Sequence, residues 1–211
     1  RFNFSHANHE EHRRRYEMVD RLRRELNLPI ATMLDTKGPE VRLGLFKDNK
    51  PVEIFTGDTY TLTTRDVVCD DKIASVSFSG LPADVQPGTA ILINDGLISL
   101  RVKKVTATDI ICEVTEGGIL SNNKGVNVPG VELSMPYLSE RDMTDLEFGA
   151  KTGFDFIAAS FVRTAADVDY LRKFTNSLGW RNVKIIAKIE NQEGVSNLAE
   201  ILSVADGIMG A

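Results

Sequence analysis

Two kinds of hydrophobic pattern follow one another along this chain, and their arrangement constrains the fold more than any other feature of the sequence. Residues 1–42 and 137–211 alternate short apolar strands with amphipathic helices. Residues 43–136 instead consist of β-branched segments separated by short turns, without a helical period. Alternating strands and helices are typical of a parallel sheet covered by helices. We therefore expect one α/β domain, interrupted by a small all-β domain.

The α/β part contains several candidate strands and helices. The candidate strands are Arg1–Ser5, Pro29–Leu34, Phe154–Phe161, Val183–Ile189 and Gly207–Met209. Capping residues predict helix starts at Asn8, Ser139 and Thr164, and Val195–Val204 fits a further helix. Five strands of one parallel sheet are predicted, with the insertion after the second strand. Repeated βα units fit a (β/α)₈ barrel or a doubly wound sheet, and five strands do not decide between them.

The central block is expected to be a small all-β domain. Its β-branched segments are Val52–Phe55, Thr59–Thr64, Ala90–Ile93, Ile98–Val105 and Asp109–Val114. Asn94-Asp95-Gly96 stands between two of them, and these residue types tolerate the positive φ angles that tight turns require. A hairpin is therefore predicted at this position.

Charge and composition exclude several classes of function. The formal net charge is −5, from 25 basic and 30 acidic side chains, so a general basic surface for nucleic acid is not expected. Six arginines of the first helix are interleaved with acids, which is typical of a solvated helix face. Apolar runs are far shorter than the roughly 20 residues that cross a bilayer, and no signal peptide is recognisable. The isolated Cys69 and Cys112 fit a soluble protein of the reducing cytoplasm.

The ends of the chain read as interrupted elements. Arg1 is not preceded by Met, and Arg1–Ser5 alternates as though numbering began within a strand. Residues 206–211 likewise read as a strand that follows a helix. We expect the sequence to be an excerpt.

The first strand has an all-polar face. Because residues two apart point to the same side of a strand, Arg1, Asn3 and Ser5 project together, away from Phe2 and Phe4. Such a face fits either a binding site or an edge strand whose polar side faces water. His6 follows at the end of this strand, where a satisfied polar residue is commoner than a ligand.

Two further groups of polar residues follow strands. Residues 35–42 place charged and hydroxyl side chains around a Gly-Pro turn. This segment is either a loop that binds a ligand or only the connection into the β domain. Lys188 and Glu190 share one face at the end of an apolar strand. Burying this pair is costly unless metal or ligand charge compensates it, although a simple ion pair remains the alternative. A carboxylate is a suitable ligand for Mg²⁺, and a lysine can neutralise charge on a transferring phosphoryl group.

Five segments together resemble the pyruvate kinase family, in that family's order. They are residues 1–6 (RFNFSH), 35–42 (DTKGPEVR), 94–100 (NDGLISL), 124–130 (KGVNVPG) and 188–195 (KIENQEGV). The resemblance implies a partial (β/α)₈ TIM barrel, residues 1–42 and 137–211, with an inserted β-barrel lid domain, residues 43–136. It also implies phosphoryl transfer from phosphoenolpyruvate to ADP, which gives pyruvate and ATP in glycolysis.

The resemblance also assigns roles residue by residue. Lys188 would stabilise the transferring phosphoryl group and the enolate, and Arg1 would reach the phosphate of phosphoenolpyruvate. Glu190 would hold Mg²⁺ or Mn²⁺. Family members usually assemble as homotetramers, and neither a membrane nor a nucleic acid is among their expected partners.

The remaining implied sites concern K⁺ and the nucleotide. K⁺ would be bound by Asn3, Ser5, Asp35 and the backbone carbonyl of Thr36, and Glu40 resembles the K⁺-dependent branch of the family. The nucleotide would be met by Asn3, Ser5, His6, Arg42 and Lys124. Lys124 would arrive as the inserted domain closes, and Asp95 lies on the same domain.

The sequence departs from the family pattern at its end and leaves two alternatives open. It reads Ile208-Met209-Gly210-Ala211 where the family has Ile-Met-Val-Ala, followed by Arg-Gly-Asp-Leu-Gly with the second metal ligand. We therefore expect these 211 residues to be inactive alone. The alternatives are another Mg²⁺-dependent phosphoenolpyruvate or pyruvate barrel of aldolase type, and a non-catalytic nucleotide-binding module. Neither a GxxxxGK[ST] loop nor a GxGxxG segment is present.

Overall fold

The computed structural model describes residues 1–210, which form two compact units. One unit combines Arg1–Pro39 with the chain from Pro136 onward, and the other is Glu40–Met135. The sequence placed the insertion at residues 43–136, so the observed unit begins three residues earlier and ends one residue earlier. Each unit has its own hydrophobic core.

The elements follow one another in the order expected for an insertion. The chain begins with β1 (Phe2–Asn3), α1 (His9–Glu25) and β2 (Met33–Asp35). The inserted unit contains β3 (Val41–Arg42), a 3₁₀ turn (Lys47–Asn49), β4 (Val52–Ile54), β5 (Thr59–Thr63), β6 (Ile73–Ser75), α2 (Leu81–Asp84), β7 (Ala90–Ile93), β8 (Ile98–Val105), β9 (Asp109–Glu116), β10 (Gly118–Leu120) and β11 (Gly125–Asn127). The chain then returns with α3 (Glu140–Thr152), β12 (Phe156–Ala159), α4 (Ala165–Ser177), β13 (Lys184–Ile189), α5 (Gln192–Ser196), α6 (Leu198–Val204) and β14 (Gly207–Gly210).

A parallel sheet organises the first unit. Within residues 1–210, five of its strands pair in the order β1-β2-β12-β13-β14, and all four pairings are parallel. Asn3 lies opposite Asp35, which lies opposite Ala158. Because the strands are parallel, their carboxyl ends meet at one edge of the sheet. The predicted α/β sheet, with the insertion after its second strand, is confirmed.

Local capping chemistry explains where the covering helices begin. The side chain of Asn8 accepts the backbone N–H of Glu11 and starts α1. At α3, Ser139 and Asp142 satisfy each other's backbone N–H groups, as the capping-box pattern predicts. Thr164 accepts the N–H of Asp167 at α4, but the carboxylate of Asp167 binds Arg163. Apolar side chains between sheet and helices, such as the fully buried Leu34, form the core.

The inserted unit is built around a mainly antiparallel sheet, in which β5 and β6 pair in parallel. Within residues 40–135 its strands pair in the order β3-β11-β7-β8-β9-β5-β6, and β10 pairs separately with β4. The predicted hairpin joins β7 to β8, with Ile93 opposite Ile98. Asn94 and Asp95 both have φ of 56°, and Gly96 has φ of 85°. The observed turn therefore matches the predicted hairpin, because Asn, Asp and Gly adopt the left-handed backbone conformation readily.

Several sequence predictions placed element boundaries wrongly. The strand predicted from Pro29 begins only at Met33, where pairing with Phe156 of β12 begins, and Ile30 is exposed. The single helix predicted over Val195–Val204 is two helices, α5 and α6, which meet at Asn197. The inserted unit also contains the short helix α2. No helix among residues 1–210 combines the length and the apolar character needed to span a bilayer.

Candidate active site

Three neighbouring strands bring polar side chains together at the carboxyl edge of the parallel sheet. Asp35 ends β2, Ser160 follows β12, and Lys188 lies next to the end of β13. The Nζ atom of Lys188 lies 3.3 Å from Asp35 Oδ1, 3.0 Å from Ser160 Oγ and 3.1 Å from Glu190 Oε1. This edge is where parallel α/β folds place the residues that act on ligands.

The charges at this edge are matched and largely withdrawn from water. The Lys188 side chain is 12% exposed, that of Asp35 3% and that of Glu190 16%. The Nε atom of Arg1 lies 3.3 Å from Asp35 Oδ2, so two basic groups face two carboxylates. A buried ion pair is tolerated when its charges are paired and its hydrogen bonds are made. The side chain of Arg1 remains 54% exposed and accessible to a ligand.

Glu190 is fixed from a second direction by strained backbone. The backbone N–H of Phe161 donates to Glu190 Oε2 at 3.0 Å. Phe161 has φ of 54°, in the left-handed region that bulky residues rarely adopt. Such strain persists where surrounding contacts hold it, and it is common at binding and catalytic sites. The turn after β12 therefore aims one N–H at the carboxylate that neighbours Lys188.

The loop after β2 packs directly on Ser160. Ser160 Oγ donates to the carbonyl of Thr36 at 2.7 Å, and the Ser160 N–H donates to Thr36 Oγ1 at 3.0 Å. Gly38 has φ of 75°, and a Cβ placed on it would lie 2.9 Å from both the Cβ and the carbonyl oxygen of Ser160. Only glycine permits this close approach without displacing the backbone.

Two buried side chains hold this contact from beneath. Asp142, in the first turn of α3, accepts the backbone N–H of Gly38 at 3.1 Å. The hydroxyl of Tyr137 donates to the carbonyl of Ser160 at 3.2 Å. Burial raises the pKa of Tyr137 well above its ordinary value, so this hydroxyl remains a donor.

The residues predicted to bind K⁺ lie on the two neighbouring strands β1 and β2 and on their continuations. Asn3 is paired in register with Asp35, and the N–H of Phe4 donates to the Asp35 carbonyl at 3.0 Å. The side-chain oxygen of Asn3 accepts the N–H of Ser5 at 2.9 Å. Thr36 follows Asp35, and its carbonyl accepts the Ser160 hydroxyl. The set offers oxygen atoms, which are the donors that hard cations prefer.

The residues predicted to meet nucleotide phosphates lie in both units. In the inserted unit, Arg42 pairs with Gly125, the residue after Lys124, across β3 and β11. The guanidinium of Arg42 binds Glu40 through two hydrogen bonds, of 2.6 and 2.8 Å, and hydrogen bonding to Glu40 raises the pKa of Arg42. His6 belongs to the other unit, where its carbonyl binds Nε2 of His12.

Glu190 is the best-suited group for a divalent metal at this edge. Its two oxygens already accept from Lys188 and Phe161, but each carboxylate oxygen has two lone pairs and can take a further partner. Mg²⁺ is often held by one or two carboxylates together with substrate oxygens and water. Among residues 1–210, no group of three or more His, Cys, Asp or Glu side chains is arranged to bind a metal. This edge therefore fits a metal ion that takes one carboxylate ligand, from Glu190, and takes its remaining ligands from other groups, such as substrate oxygens and water.

Sequence reasoning missed Ser160, Gly38 and Asp142 as parts of this site. Ser160 carried one usable signal, because it is a polar residue directly after the apolar strand β12. Asp142 was recognised only as a helix cap, and its second bond to Gly38 joins residues 104 positions apart. A bond between residues so far apart leaves no signal in the sequence.

Comparisons with known proteins agree with this architecture. The family described as "Pyruvate kinase, barrel domain" matches residues 1–211. Curated relatives named pyruvate kinase include those of Clostridium perfringens and Clostridium acetobutylicum, each 45% identical over 212 residues, and that of Geobacillus stearothermophilus, 44% identical over 213. Each alignment covers 100% of this chain but only 44%, 45% and 36% of the respective relative. The chain thus spans less than half the length of these relatives.

Proposed function

We propose that this chain, which belongs to the pyruvate kinase family, works in an enzyme that transfers the phosphoryl group of phosphoenolpyruvate to ADP and forms pyruvate and ATP. The observation that carries this proposal is the ammonium of Lys188, held between Asp35 and Glu190 at the carboxyl edge of the parallel sheet. A fixed positive charge in a site that is largely shielded from water suits a reaction in which negative charge moves between oxygen atoms.

Lys188 is proposed to act on the reacting atoms. Its ammonium would face the transferring phosphoryl group and the enolate oxygen that is left behind. Because its side chain is only 12% exposed, water screens this charge less than it would at the surface. The stabilisation would therefore be larger than that of a surface lysine.

Arg1 and Glu190 are proposed to bind the charged groups around the substrate. The exposed guanidinium of Arg1, anchored by Asp35, would bind the phosphate of phosphoenolpyruvate, since arginine matches phosphate geometry well. Glu190 would hold Mg²⁺ or Mn²⁺, and the bound ion would neutralise phosphate oxygens. The N–H of Phe161 and the ammonium of Lys188 orient the Glu190 carboxylate for this task.

A K⁺ site is proposed next to the lysine. Asn3, Ser5, Asp35 and the carbonyl of Thr36 would supply its oxygens, and the register of Asn3 with Asp35 supports this grouping. Glu40 fits the K⁺-dependent branch of the family. Asn3, Ser5 and His6 of one unit and Arg42 and Lys124 of the other are each proposed to contribute to nucleotide binding, while the role of Asp95 remains a prediction.

The cellular context is likewise a proposal. A glycolytic role places the enzyme in the cytoplasm, with phosphoenolpyruvate, pyruvate, ADP and ATP as its small-molecule partners. Assembly as a homotetramer is proposed because members of the family usually form homotetramers. The paired arginines of α1 support the absence of nucleic-acid binding, since Arg14 and Arg15 each bind a glutamate one turn away.

The experiment is a turnover assay on the full-length protein that contains this chain. ADP, phosphoenolpyruvate, Mg²⁺ and K⁺ are supplied, and pyruvate and ATP are both measured. We expect equal amounts of both products, loss of turnover in Lys188→Met, and loss of turnover when K⁺ is replaced by a large tetraalkylammonium ion. Absence of both products from the wild-type protein would refute the function. Unchanged rates without K⁺ would refute only the K⁺ site and the role of Glu40.

A further inference from the structure

Ser160 lies at the centre of the site, yet none of the roles proposed above uses it. The residue is 2% exposed. Its Oγ atom lies 2.7 Å from the carbonyl oxygen of Thr36, 3.0 Å from Lys188 Nζ and 3.3 Å from Asp35 Oδ1. One hydroxyl thus faces an obligate acceptor, an obligate donor and a carboxylate.

The direction of each hydrogen bond follows from the chemistry of the partners. A hydroxyl has one proton to donate and two lone pairs to accept with. The carbonyl of Thr36 can only accept, and it is the nearest partner of Ser160, so it receives the proton. An ammonium can only donate, so Lys188 donates to Ser160. The hydroxyl therefore serves Lys188 as an acceptor.

The ammonium of Lys188 has three N–H donors and three acceptors within reach. Two acceptors, Asp35 and Glu190, are carboxylates, and the third is the neutral hydroxyl of Ser160. Either carboxylate alone could draw the ammonium toward itself, because charge-assisted bonds are the stronger ones. A neutral third acceptor fixes the ammonium between the two carboxylates without changing the charge of the site.

Ser160 is itself held in place by the surrounding backbone. Its N–H donates to Thr36 Oγ1, and its carbonyl accepts the hydroxyl of Tyr137. Gly38 packs against its Cβ at a distance that no larger residue permits. The acceptor offered to Lys188 is therefore preorganised, as catalytic groups require of their supporting residues.

We propose that Ser160 is a positioning residue that fixes the Lys188 ammonium between Asp35 and Glu190 for phosphoryl transfer. The inference rests on the proposed function, because it assigns Ser160 to the same reaction. Positioning affects turnover more than substrate binding, since removal of Ser160 leaves every charge of the site in place and changes only where the ammonium lies.

The first test separates kcat from KM in the full-length protein. In Ser160→Ala, and in Ser160→Cys, whose sulfur accepts hydrogen bonds only weakly, kcat is expected to fall about 10- to 100-fold while the KM for phosphoenolpyruvate changes less than about threefold. The matched control is Thr175→Val, which removes another buried hydroxyl of the same unit and should leave kcat unchanged. Unchanged kcat in both the alanine and the cysteine variants would overturn the proposal.

The second test does not depend on turnover. Lysines are acetylated at one fixed pH, and peptide mass spectrometry compares the rate at Lys188 with that at Lys184 on the same strand. Ser160→Ala and Ser160→Cys are expected to raise this ratio several-fold, because Lys188 has lost one of its three acceptors. An unchanged ratio would refute the positioning role. If the wild-type protein made no pyruvate, the proposed function would fall, while the ratio would still decide whether Ser160 holds Lys188.

Discussion

The amino and carboxyl edges of the parallel sheet both carry charged side chains, and they differ in how those charges are satisfied. At the amino edge, Asp206 precedes β14, accepts the N–H of Ile185 at 3.0 Å, and pairs with Arg172 at 2.8 Å and Lys184 at 3.0 Å. Although burial opposes its ionisation, these partners lower the pKa of Asp206 to about 2. Asp155 is similarly held before β12, by the N–H and hydroxyl of Thr32.

At the amino edge one carboxylate has several donors, whereas at the carboxyl edge one basic group has several acceptors. One ammonium, that of Lys188, is shared between Asp35 and Glu190, and the partner of Asp35 on its other side is the largely exposed Arg1. Both aspartates at the amino edge accept from several protein donors, whereas Glu190 at the carboxyl edge accepts from one ammonium and one backbone N–H and, in the proposed function, also takes a divalent metal. Parallel α/β barrels generally place stability at the first edge and chemistry at the second. The comparison predicts the same division here.

Apart from replacement of Lys188 itself, the largest effect is expected from neutralising a carboxylate at the carboxyl edge. Glu190→Gln should lower kcat in the full-length protein by about 100- to 1000-fold, because an amide holds a divalent metal and orients Lys188 far less well. Turnover measured across a Mg²⁺ titration checks this. Asp206→Asn is the matched control at the amino edge and should change kcat less than about threefold. Equal losses in the two variants would break the comparison.

Two glycines with positive φ sharpen the comparison in terms of stability. Gly38, at the carboxyl edge, packs on Ser160, whereas a Cβ on Gly153, just before β12 at the amino edge, would meet only the Tyr16 hydroxyl at 3.6 Å. Gly38→Ala should lower the free energy of unfolding by about 3 kcal/mol, from strain and steric overlap together. Gly153→Ala should cost about 1 kcal/mol, from backbone strain alone. Urea unfolding measures the free energy of unfolding of both variants. Equal losses would show that the close contact between Gly38 and Ser160 does not contribute to stability.

The amino edge predicts a specific dependence on pH. Because the pKa of Asp206 is lowered in the folded state, its stabilisation is complete above the unfolded value of 3.8 and is lost as pH falls toward about 2. Asp206→Asn should therefore lower the free energy of unfolding by about 1–2 kcal/mol at pH 7 and by much less near pH 2. Urea unfolding at both pH values tests this. A cost that is the same at both would contradict the ionic origin of the effect.

The smallest effect concerns a single hydroxyl at the amino edge. Thr32→Val keeps the shape of the side chain but removes its 2.9 Å hydrogen bond to Asp155. The free energy of unfolding should fall by about 1 kcal/mol, with turnover unchanged. Thermal unfolding and the turnover assay together check this prediction. A clear loss of kcat would mean that the amino edge also contributes to the reaction.

Much of the fold could be predicted because it depends on local patterns. The alternation of strands and helices predicted the parallel sheet, and Asn94-Asp95-Gly96 predicted the hairpin between β7 and β8. Strand length was less predictable, because pairing depends on the neighbouring strand. The apolar residues Pro29 to Ala31 thus looked like part of β2, but the pairing of β2 with β12 begins only at Met33, which lies opposite Phe156.

The site was predictable only where its residues are close in sequence. The two-residue period of a strand placed Lys188 and Glu190 on one face, and their Nζ and Oε1 atoms lie 3.1 Å apart. The contact between Asp35 and Ser160 joins residues 125 positions apart, and the close packing of Gly38 on Ser160 depends on the same tertiary arrangement. Contacts of this kind follow from the folded sheet and leave no periodic signal.

One strand allows the most direct test of the division between the two edges, since β13 carries Lys184 at the amino edge and Lys188 at the carboxyl edge. Each lysine is changed to methionine in the full-length protein, and ATP formation from phosphoenolpyruvate and ADP is measured. Lys188→Met should lose about 1000-fold in kcat, whereas Lys184→Met should retain kcat within about threefold. Equal activity in the two folded variants would contradict the assignment of phosphoryl transfer to the carboxyl edge.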